Sequence, residues 1–276
     1  MLENKFTTGF NNGSFTHPDQ IITSIDSLAV NRAYAAYEFL RIKNGKPFYF
    51  DRHMARFFKT LELMRLTITF GLKEIEIAIA ELAEKNNMQN GYLKFFAIPA
   101  SSNQLLNPAA FYIIPFHYPD YSDETYLTGS NLLMKEYARF LPEAKTTNYV
   151  ASAYWQYEMD QKNAIDVLYF TGNEVFETSR GNLFIAKGNE IYTPDRQILK
   201  GITRSIVSDL AKDRFKISEQ AISVRDLFWA DEVFITSTTK KIMPIVQINN
   251  AEIGKGVPGP VSKALLEKYN ELLVHY

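Results

Sequence analysis

The stretch EVFETSRGNLF, from Glu174 to Phe184, places a single carboxylate at the mouth of an apolar hairpin. Val175 and Phe176 lead into Glu177, and an apolar run resumes just beyond the turn. Flanks of this composition predict two short strands that are buried in a sheet. Because an unpaired buried carboxylate is costly or becomes neutral, the sequence predicts that a cationic group lies opposite Glu177.

The composition around this stretch is that of an ordinary globular protein. The chain has 276 residues, of which 46% are hydrophobic and 22% charged. A chain of this length can bury one large core or two modest ones, so two domains are expected. With 30 Lys and Arg against 31 Asp and Glu, and no long basic run, a nucleic acid or anionic membrane is not expected as a partner.

Cysteine usage and the N-terminal residues bear on the compartment. The chain contains no cysteine, which excludes disulfides, thiolate metal sites and a cysteine nucleophile, and which fits a reducing compartment. The segment MLENKFTTGF has no apolar signal region, and no stretch is long enough to span a bilayer. A cytoplasmic protein without a metal site is expected.

Local patterns predict strands and helices in the first half. Asn12-Gly13 between apolar residues indicates a hairpin, and the strand YEFLRI turns at Asn44-Gly45. Helices are predicted from Asp51 onward and over LKEIEIAIAELAEKN. The strands YLKFFAI and AAFYIIPF flank a polar loop, ASSNQLLNP.

The turn-rich stretch HYPDYSDETYLTGSN places a domain boundary near residue ~120. A smaller N-terminal α/β domain would cover 1–120, and a larger cofactor-binding domain 121–276. Beyond this boundary the sequence predicts the strand NLLMKEY, a helix over YVASAYWQYEMDQKNA, four short strands, a helix after LKG, a strand–helix–strand unit and a final helix. Mixed helices with mostly hairpin-linked strands predict an α/β protein of α+β-like layers rather than a doubly wound parallel sheet.

Two further features of the second half could carry chemistry. Lys145 opens the segment KTTNY just ahead of a predicted helix, although a lone lysine is most often a surface residue. Within LKGITR, Gly201 precedes a helix whose first residues, Ile202 and Thr203, would offer free N–H groups and a positive dipole end. Such a helix start suits a phosphate, although glycine before a helix is more often only a loop.

Two more features offer hydroxyl and cationic groups. In ITSTTKK, Ser237 and Thr238 lie at the end of a predicted strand, where hydroxyls suit either an anion or a plain turn. In DRHMARF, His53 and Arg56 share a helix face. Arg56 could bind phosphate with two N–H groups, whereas His53 is interpreted as a structural histidine with a hydrogen-bond partner.

Together these features require one ligand with three groups. The lysine needs a carbonyl, the buried acid needs a protonated nitrogen, and the helix start, the hydroxyls and the arginine need a phosphate. Pyridoxal phosphate has all three. The cation predicted opposite Glu177 is then the protonated ring nitrogen of this cofactor.

The order K-T-T-N-Y, E-T-S-R-G-N-L-F, Y-T-P, L-K-G-I-T-R, T-S-T-T resembles that of class IV aminotransferases, which belong to the fold-type IV pyridoxal phosphate enzymes. This family includes D-amino acid aminotransferases, branched-chain aminotransferases and aminodeoxychorismate lyases. The resemblance runs through most of Met134 to Ile248, and H-x-x-R extends it into the first half. It implies a two-domain D-amino acid aminotransferase-like fold with the cofactor between the domains, and a homodimer in which a second subunit completes the active site.

The resemblance also implies residue roles. Lys145 matches the Schiff-base lysine, and Glu177 matches the partner of the pyridine nitrogen. Tyr149 is expected near the ring hydroxyl, with Asn148 and Tyr154 as alternatives. The positions that match phosphate ligands are Arg56, Ile202, Thr203, Ser237 and Thr238.

The first half departs from the family pattern on the substrate side. The family's glycine-rich motif is replaced by YAAYE, in which Tyr37 and a later Arg41 keep the shape of the motif. The Arg and His that hold the substrate carboxylate in D-amino acid aminotransferases are absent from AIPASSN. Lys94 stands where branched-chain enzymes have an arginine, so the candidate substrate residues are Tyr37, Arg41, Lys94 and Arg180.

The predicted activity is transamination between an amino acid and a 2-oxo acid. Aminodeoxychorismate lyase, which eliminates pyruvate with the same lysine and glutamate, is the alternative because fold and cofactor do not determine the reaction. A non-catalytic protein that keeps the fold is a third hypothesis. The presence of both Lys145 and Glu177 argues against it.

Overall fold

The computed structural model describes residues 6–99 and 107–276, which divide into two compact units. The first unit comprises the chain up to Pro119, the segment Ala144–Tyr149 and Tyr276. The second comprises Asp120–Glu143 and Val150–His275. The sequence-based boundaries, 1–120 and 121–276, stay a prediction.

The first unit is a six-stranded antiparallel sheet with helices, in the strand order β2-β1-β6-β5-β3-β4. Its elements are β1 Gly9–Asn11, β2 Ser14–Thr16, α1 Leu28–Arg32, β3 Ala36–Lys43, β4 Lys46–Pro47, α2 Phe50–Leu63, α3 Leu72–Lys85, β5 Gly91–Ile98 and β6 Ala110–Phe116. The predicted hairpin at Asn12-Gly13 is confirmed, and both residues have positive φ, as a tight two-residue hairpin turn requires. The predicted loop ASSNQLLNP lies mostly outside the described residues.

One face of this sheet packs on α2. The apolar residues of α2 recur at helical spacing, so they form one buried stripe that includes Met54 and Phe57. The Phe57 ring contacts Phe95 and Phe111 with centroid distances of 6.2 and 5.7 Å. Because side chains alternate along a strand, the opposite face carries a different set, which is described with the site.

The second unit contains a sheet of ten strands in which only the pairs β7–β8, β7–β15 and β11–β12 are parallel. Its strands are β7 Ser130–Glu136, β8 Ala164–Thr171, β9 Glu174–Thr178, β10 Gly181–Lys187, β11 Glu190–Thr193, β12 Lys216–Glu219, β13 Ile222–Ser223, β14 Glu232–Ser237, β15 Lys241–Ile248 and β16 Ala251–Glu252. Its helices are α4 Asp123–Thr128, α5 Val150–Tyr154, α6 Gln156–Gln161, α7 Ile202–Ala211, α8 Val224–Trp229 and α9 Pro260–His275. The mostly hairpin-linked strands agree with the α+β-like layers predicted from the sequence.

The second sheet closes on itself. The strands β10, β14, β15, β7, β8 and β9 pair in that order, and β9 also pairs with β10. Each of these six strands contributes buried residues to one apolar cluster, including Leu132, Leu168, Val175, Leu183, Ile235 and Met243. The main core of this unit therefore lies inside the closed ring of strands.

One sequence-based prediction in this unit is wrong, and the sequence analysis did not anticipate one short helix, α4. The single helix expected over YVASAYWQYEMDQKNA is two short helices, α5 and α6, divided at Trp155. The Trp155 ring packs near Tyr137 and Tyr169, with centroid distances of 5.9 and 6.2 Å, so tertiary packing competes with an unbroken helix. The turn-rich stretch contains α4, which begins where the Ser122 side chain accepts a hydrogen bond from the Thr125 N–H.

No helix within the described parts of the chain is both long enough and apolar enough to cross a membrane.

Candidate active site

Lys145 lies on a segment that pairs with strand β3 of the first unit. The Tyr37 N–H donates to the Lys145 carbonyl at 2.9 Å, and the Thr147 N–H donates to the Ala35 carbonyl at 3.1 Å. The Lys145 N–H donates to the Thr60 hydroxyl of α2 at 3.1 Å. These backbone bonds hold the lysine on regular elements rather than on a free loop.

The Lys145 side chain is half-buried and lies against an aromatic ring. Its Nζ is 4.9 Å from the centroid of the Tyr37 ring. Tyr37 in turn contacts the Tyr149 and Phe96 rings, with centroid distances of 6.4 and 5.3 Å. Tyr149, predicted near the cofactor ring hydroxyl, therefore lies in the same cluster as Lys145.

A buried carboxylate organises the other cations of this unit. Glu38 is fully buried and accepts two hydrogen bonds from Arg56, from Nε at 2.9 Å and from Nη2 at 2.6 Å. The buried His53 Nδ1 lies 3.1 Å from the same carboxylate. His53 is thus the structural histidine that was predicted, and Glu38 sets the direction of the Arg56 guanidinium.

Electrostatics favour an ionised Glu38 beside a neutral histidine. Burial acts to raise the pKa of Glu38, but Arg56 and the hydrogen bond from His53 hold that pKa well below its ordinary value. Burial lowers the pKa of His53, and the attraction of Glu38 opposes this only in part. The negative charge of Glu38 is therefore neutralised by Arg56.

Glu177, in the second unit, is buried near the end of β9 and accepts hydrogen bonds from Arg139, Leu199 and Asn182. Arg139 Nη1 donates to one carboxylate oxygen at 2.9 Å. The other oxygen accepts from the Leu199 N–H at 2.9 Å and from Asn182 Nδ2 at 3.4 Å. Arg139 is thus a cation that contacts Glu177, and the sequence analysis missed it.

The helix α7 begins at Gly201 beside Asn182. Among the described residues, no side chain caps this helix start, so its first N–H groups face outward from the helix end. The Asn182 amide donates to the Leu199 carbonyl at 2.7 Å, and its oxygen lies 2.1 Å from where a Cβ on Gly201 would be. Only glycine lets the chain pass this close to Asn182.

Hydroxyl groups surround the end of β14. Ser237 and Thr238 are half-buried in the turn from β14 to β15. Thr236 pairs with Asn182 across the strands, and its buried hydroxyl has no hydrogen-bond partner among the described residues. A buried hydroxyl without a hydrogen-bond partner is unusual. The O–H of Thr236 could therefore donate to an oxygen of a bound ligand.

The remaining candidates differ in exposure. Asn148 and Tyr154 are exposed, Tyr154 by 79%, and Arg180 is exposed at the β9–β10 turn. Arg41 is buried, with its guanidinium 4.8 Å from the Tyr92 ring centroid. Lys94 is half-buried, and burial lowers its pKa.

Sequence reasoning missed Arg139, Asn182 and the role of Glu38. Arg139 and Glu177 are separated by 38 residues, and no local pattern pairs them. For Asn182 a signal existed, because an amide follows the turn glycine in EVFETSRGNLF. Glu38 could have been found as a carboxylate among apolar residues in YEFLRI, by the reasoning applied to Glu177.

The groups of each unit fit part of pyridoxal phosphate. The second unit offers a buried carboxylate for a ring N–H, an uncapped helix start and a buried hydroxyl without a partner among the residues described. The first unit offers a half-buried amine on a fixed backbone. Chemically, the carboxylate suits the ring N–H, the helix start and the hydroxyl suit the phosphate, and the amine suits the carbonyl carbon of the cofactor.

The chain is similar in sequence to known aminotransferases. A sequence model of the family "Amino-transferase class IV" matches residues 35–248. The D-alanine aminotransferase of Bacillus licheniformis is 28% identical over 91% of this chain and 92% of its own length. The D-alanine aminotransferase of Listeria monocytogenes is 28% identical over 85% of each chain.

Solved structures give the same fold. The T.th. branched-chain amino acid aminotransferase with pyridoxamine 5'-phosphate has a TM-score of 0.91 and 30% identity, covering 98% of this chain and 95% of its own. The branched-chain enzyme of Escherichia coli shares the fold, with a TM-score of 0.86 and 23% identity. The match covers 97% of this chain and 94% of the Escherichia coli chain.

The chain therefore belongs to the class IV aminotransferases, as its motifs predicted. It is a pyridoxal-phosphate-dependent transferase with the two-domain fold type IV, and it exchanges an amino group between an amino acid and a 2-oxo acid. None of the relatives named above favours the lyase alternative.

Proposed function

We propose that this aminotransferase acts on L-amino acids with apolar side chains, branched or aromatic, and on the matching 2-oxo acids. The observation that carries the proposal is a face of the first sheet that combines aromatic rings with one lysine beside Lys145. Support also comes from the branched-chain aminotransferase with which the chain shares 30% identity and its fold.

The face is built by cross-strand pairs of β3 and β5. Tyr37 pairs with Phe96, and Phe39 pairs with Lys94. Because alternate residues share a face, the three rings and the Lys94 ammonium point to the same side as the Lys145 amine. An apolar substrate side chain would be buried against the rings, and Lys94 would hold a carboxylate as a single point charge.

The proposed roles of this chain's residues are as follows. Bound pyridoxal phosphate supplies an electron sink for the amino acid's α-carbon. Lys145 would bind the cofactor's carbonyl carbon and, once displaced by the substrate amine, move the α-proton as a free amine. Glu177 would hold the proton on the ring nitrogen, and Arg56, Ile202, Thr203, Ser237 and Thr238 would hold the phosphate.

The first experiment is the visible spectrum of the purified protein with pyridoxal phosphate. L-leucine, L-phenylalanine, L-glutamate and D-alanine are added in separate samples, and a 2-oxo acid follows. Faster loss of the cofactor band with L-leucine or L-phenylalanine than with D-alanine, and its return with the 2-oxo acid, is expected. A clear preference for L-glutamate would contradict the apolar class.

D-alanine is the second candidate donor, because the relatives identified by sequence are D-alanine aminotransferases. Faster band loss with D-alanine than with any L-amino acid would establish it. Against it, the sequence AIPASSN lacks the Arg and His expected of a D-specific enzyme.

We also propose that the enzyme is a cytoplasmic homodimer. The absence of cysteine supports a reducing compartment, and the family resemblance supports the dimer. Sedimentation of the cofactor-loaded protein at two concentrations would test the dimer, and a monomer at both would contradict it.

A further inference from the structure

A buried ion pair outside the proposed cofactor contacts links strand β8 to the turn between β14 and β15 in the second unit. Lys240 is 2% exposed and Asp166 is fully buried, and the Lys240 Nζ donates to Asp166 Oδ2 at 2.9 Å. Buried lysines are rare because the ammonium loses its hydration. Burial lowers the pKa of Lys240 against the opposing attraction of Asp166.

The Asp166 carboxylate accepts four hydrogen bonds. Besides Lys240, it receives the hydroxyls of Thr178, at 3.1 Å, and Ser179, and the N–H of Val167 at 2.8 Å. Its acceptor positions are therefore filled, and two of the donors, Lys240 and Ser179, come from two different turns, β14–β15 and β9–β10. Asp166 therefore connects these segments through hydrogen bonds and does not act as a reactive group.

One of these turns is the proposed phosphate loop. Lys240 follows Ser237 and Thr238 closely, and its N–H donates to the Ser237 hydroxyl at 3.1 Å. Its carbonyl accepts from the Tyr126 hydroxyl at 3.3 Å. Both the backbone and the side chain of Lys240 are thus fixed within the loop.

The other turn follows Glu177. Thr178, directly after Glu177, ends strand β9, and Ser179 begins the turn. The Ser179 N–H also donates to the Val167 carbonyl at 2.9 Å. The Ser152 hydroxyl extends the network, lying 3.1 Å from that of Ser179. Any shift of Asp166 would therefore move the backbone that carries Glu177.

Stability alone does not account for this arrangement. A buried ion pair can often be replaced by apolar residues without loss of stability, because desolvation offsets the attraction. What the pair does provide is a fixed distance between two turns, since an ion pair with filled hydrogen bonds tolerates little displacement.

We propose that Asp166 and Lys240 are positioning residues that set the spacing between the phosphate loop at Ser237–Thr238 and the ring-nitrogen carboxylate Glu177. The inference rests on the proposed roles of those residues toward the cofactor. Without the pair, the phosphate and the ring nitrogen of one rigid ligand can no longer be bound at their best distances together.

The test compares Lys240→Met with Lys241→Met, which changes the next residue, at the start of β15. Both variants remove one positive charge at positions that directly follow the proposed phosphate loop, but the Lys241 ammonium lies 3.9 Å from Asp120 instead of on Asp166. Pyridoxal phosphate is titrated onto each apoprotein, and phosphorus NMR of the loaded protein reports the phosphate surroundings. Urea unfolding of the apoproteins measures stability separately.

We expect Lys240→Met to weaken pyridoxal phosphate binding at least about fivefold more than Lys241→Met does, and to shift the phosphorus resonance. A smaller difference in affinity overturns the inference, whatever the stability of the variant. The double variant Asp166→Asn, Lys240→Met removes the unpaired buried charge. The double variant should be more stable than Lys240→Met but should bind pyridoxal phosphate no more tightly. If Lys240→Met does not fold, the affinity of the double variant is compared with that of Lys241→Met instead.

Failure of the underlying function gives a different result. A wild-type protein that binds no pyridoxal phosphate would reject the proposed cofactor contacts. A wild-type protein that binds it tightly, with Lys240→Met binding as well as Lys241→Met, would reject only the positioning role.

Discussion

At the scale of single residues, the two groups proposed for the main chemistry are held differently. Lys145 has its backbone fixed by β3 and α2, while its amine lies against the Tyr37 ring. Glu177 has its carboxylate fixed by Arg139, Leu199 and Asn182. The lysine can therefore move its amine between partners, whereas the glutamate is held in one orientation.

Replacing Lys145 with alanine should reduce transamination on the order of 1000-fold or more, because both the covalent contact to the cofactor and the proton carrier are lost. Turnover with the best donor is the measurement. Lys59→Ala, which removes an exposed lysine of α2 paired with the exposed Glu62, is the control and should keep full activity. Comparable turnover by Lys145→Ala would refute the assignment.

Lys94→Met should raise the KM for amino acids by about 10-fold or more while changing kcat little, because a carboxylate contact present before and during reaction is lost. Steady-state kinetics with two donors is the measurement. Lys85→Met is the control, since Lys85 is an exposed lysine of the same unit. An unchanged KM for every accepted donor would exclude Lys94 from substrate binding.

At the scale of elements, the start of α7 depends on the packing of β10. Asn182 ties the segment Leu199–Gly201 to the strand that follows Glu177. Because Asn182 holds this segment against β10, the N–H groups at the start of α7 keep a fixed position relative to the sheet.

Gly201→Ala should weaken pyridoxal phosphate binding by about 10-fold and destabilise the protein by about 2 kcal/mol, because the new Cβ would displace Asn182. Gly201 has φ −67°, which alanine also adopts, so the effect is steric. Gly71→Ala is a matched control: Gly71 also precedes a helix, but its Cβ would lie 3.5 Å from Glu74. Equal effects of the two substitutions would reject this explanation.

At the scale of the whole molecule, stability should depend on pH through Glu38. Its pKa in the folded protein lies below the ordinary value of 4.5, so its contribution is present above pH 4.5 and is lost as pH falls further. Glu38→Gln should destabilise the protein by about 3 kcal/mol at neutral pH, because Arg56 loses its buried partner. The gap to the wild type should narrow below pH 4.5.

Urea unfolding across this pH range measures that gap. Glu62→Gln, at an exposed glutamate paired with Lys59, is the control and should show almost no gap at any pH. A gap for Glu38→Gln that stays constant or widens on acidification would contradict the ionised pair.

The sequence predicted the features that depend on neighbours along the chain. The Asn12-Gly13 turn, the helix periodicity of α2 and the hairpin around Glu177 are all local signals, and the structure has each of them. The family order of motifs also predicted the cofactor and the fold.

The features that sequence did not predict depend on contacts between distant segments. The Arg139–Glu177 pair, the pairing of β10 with β14 and the break at Trp155 each follow from tertiary packing. The pairing of Thr146 with Ala36 joins residues 110 positions apart, with no local pattern to announce it.

That last pairing has a consequence for biosynthesis. The chain leaves the first unit after Pro119 and returns to it only at Ala144–Tyr149. While a ribosome adds the intervening residues, the end of β3 at Ala36 stays without its neighbour, and unpaired strand edges invite association with other chains. The segment that carries Lys145 thus also covers the end of β3 in the new chain. A pause in translation before this segment emerges would prolong the time during which the uncovered strand end can associate with other chains.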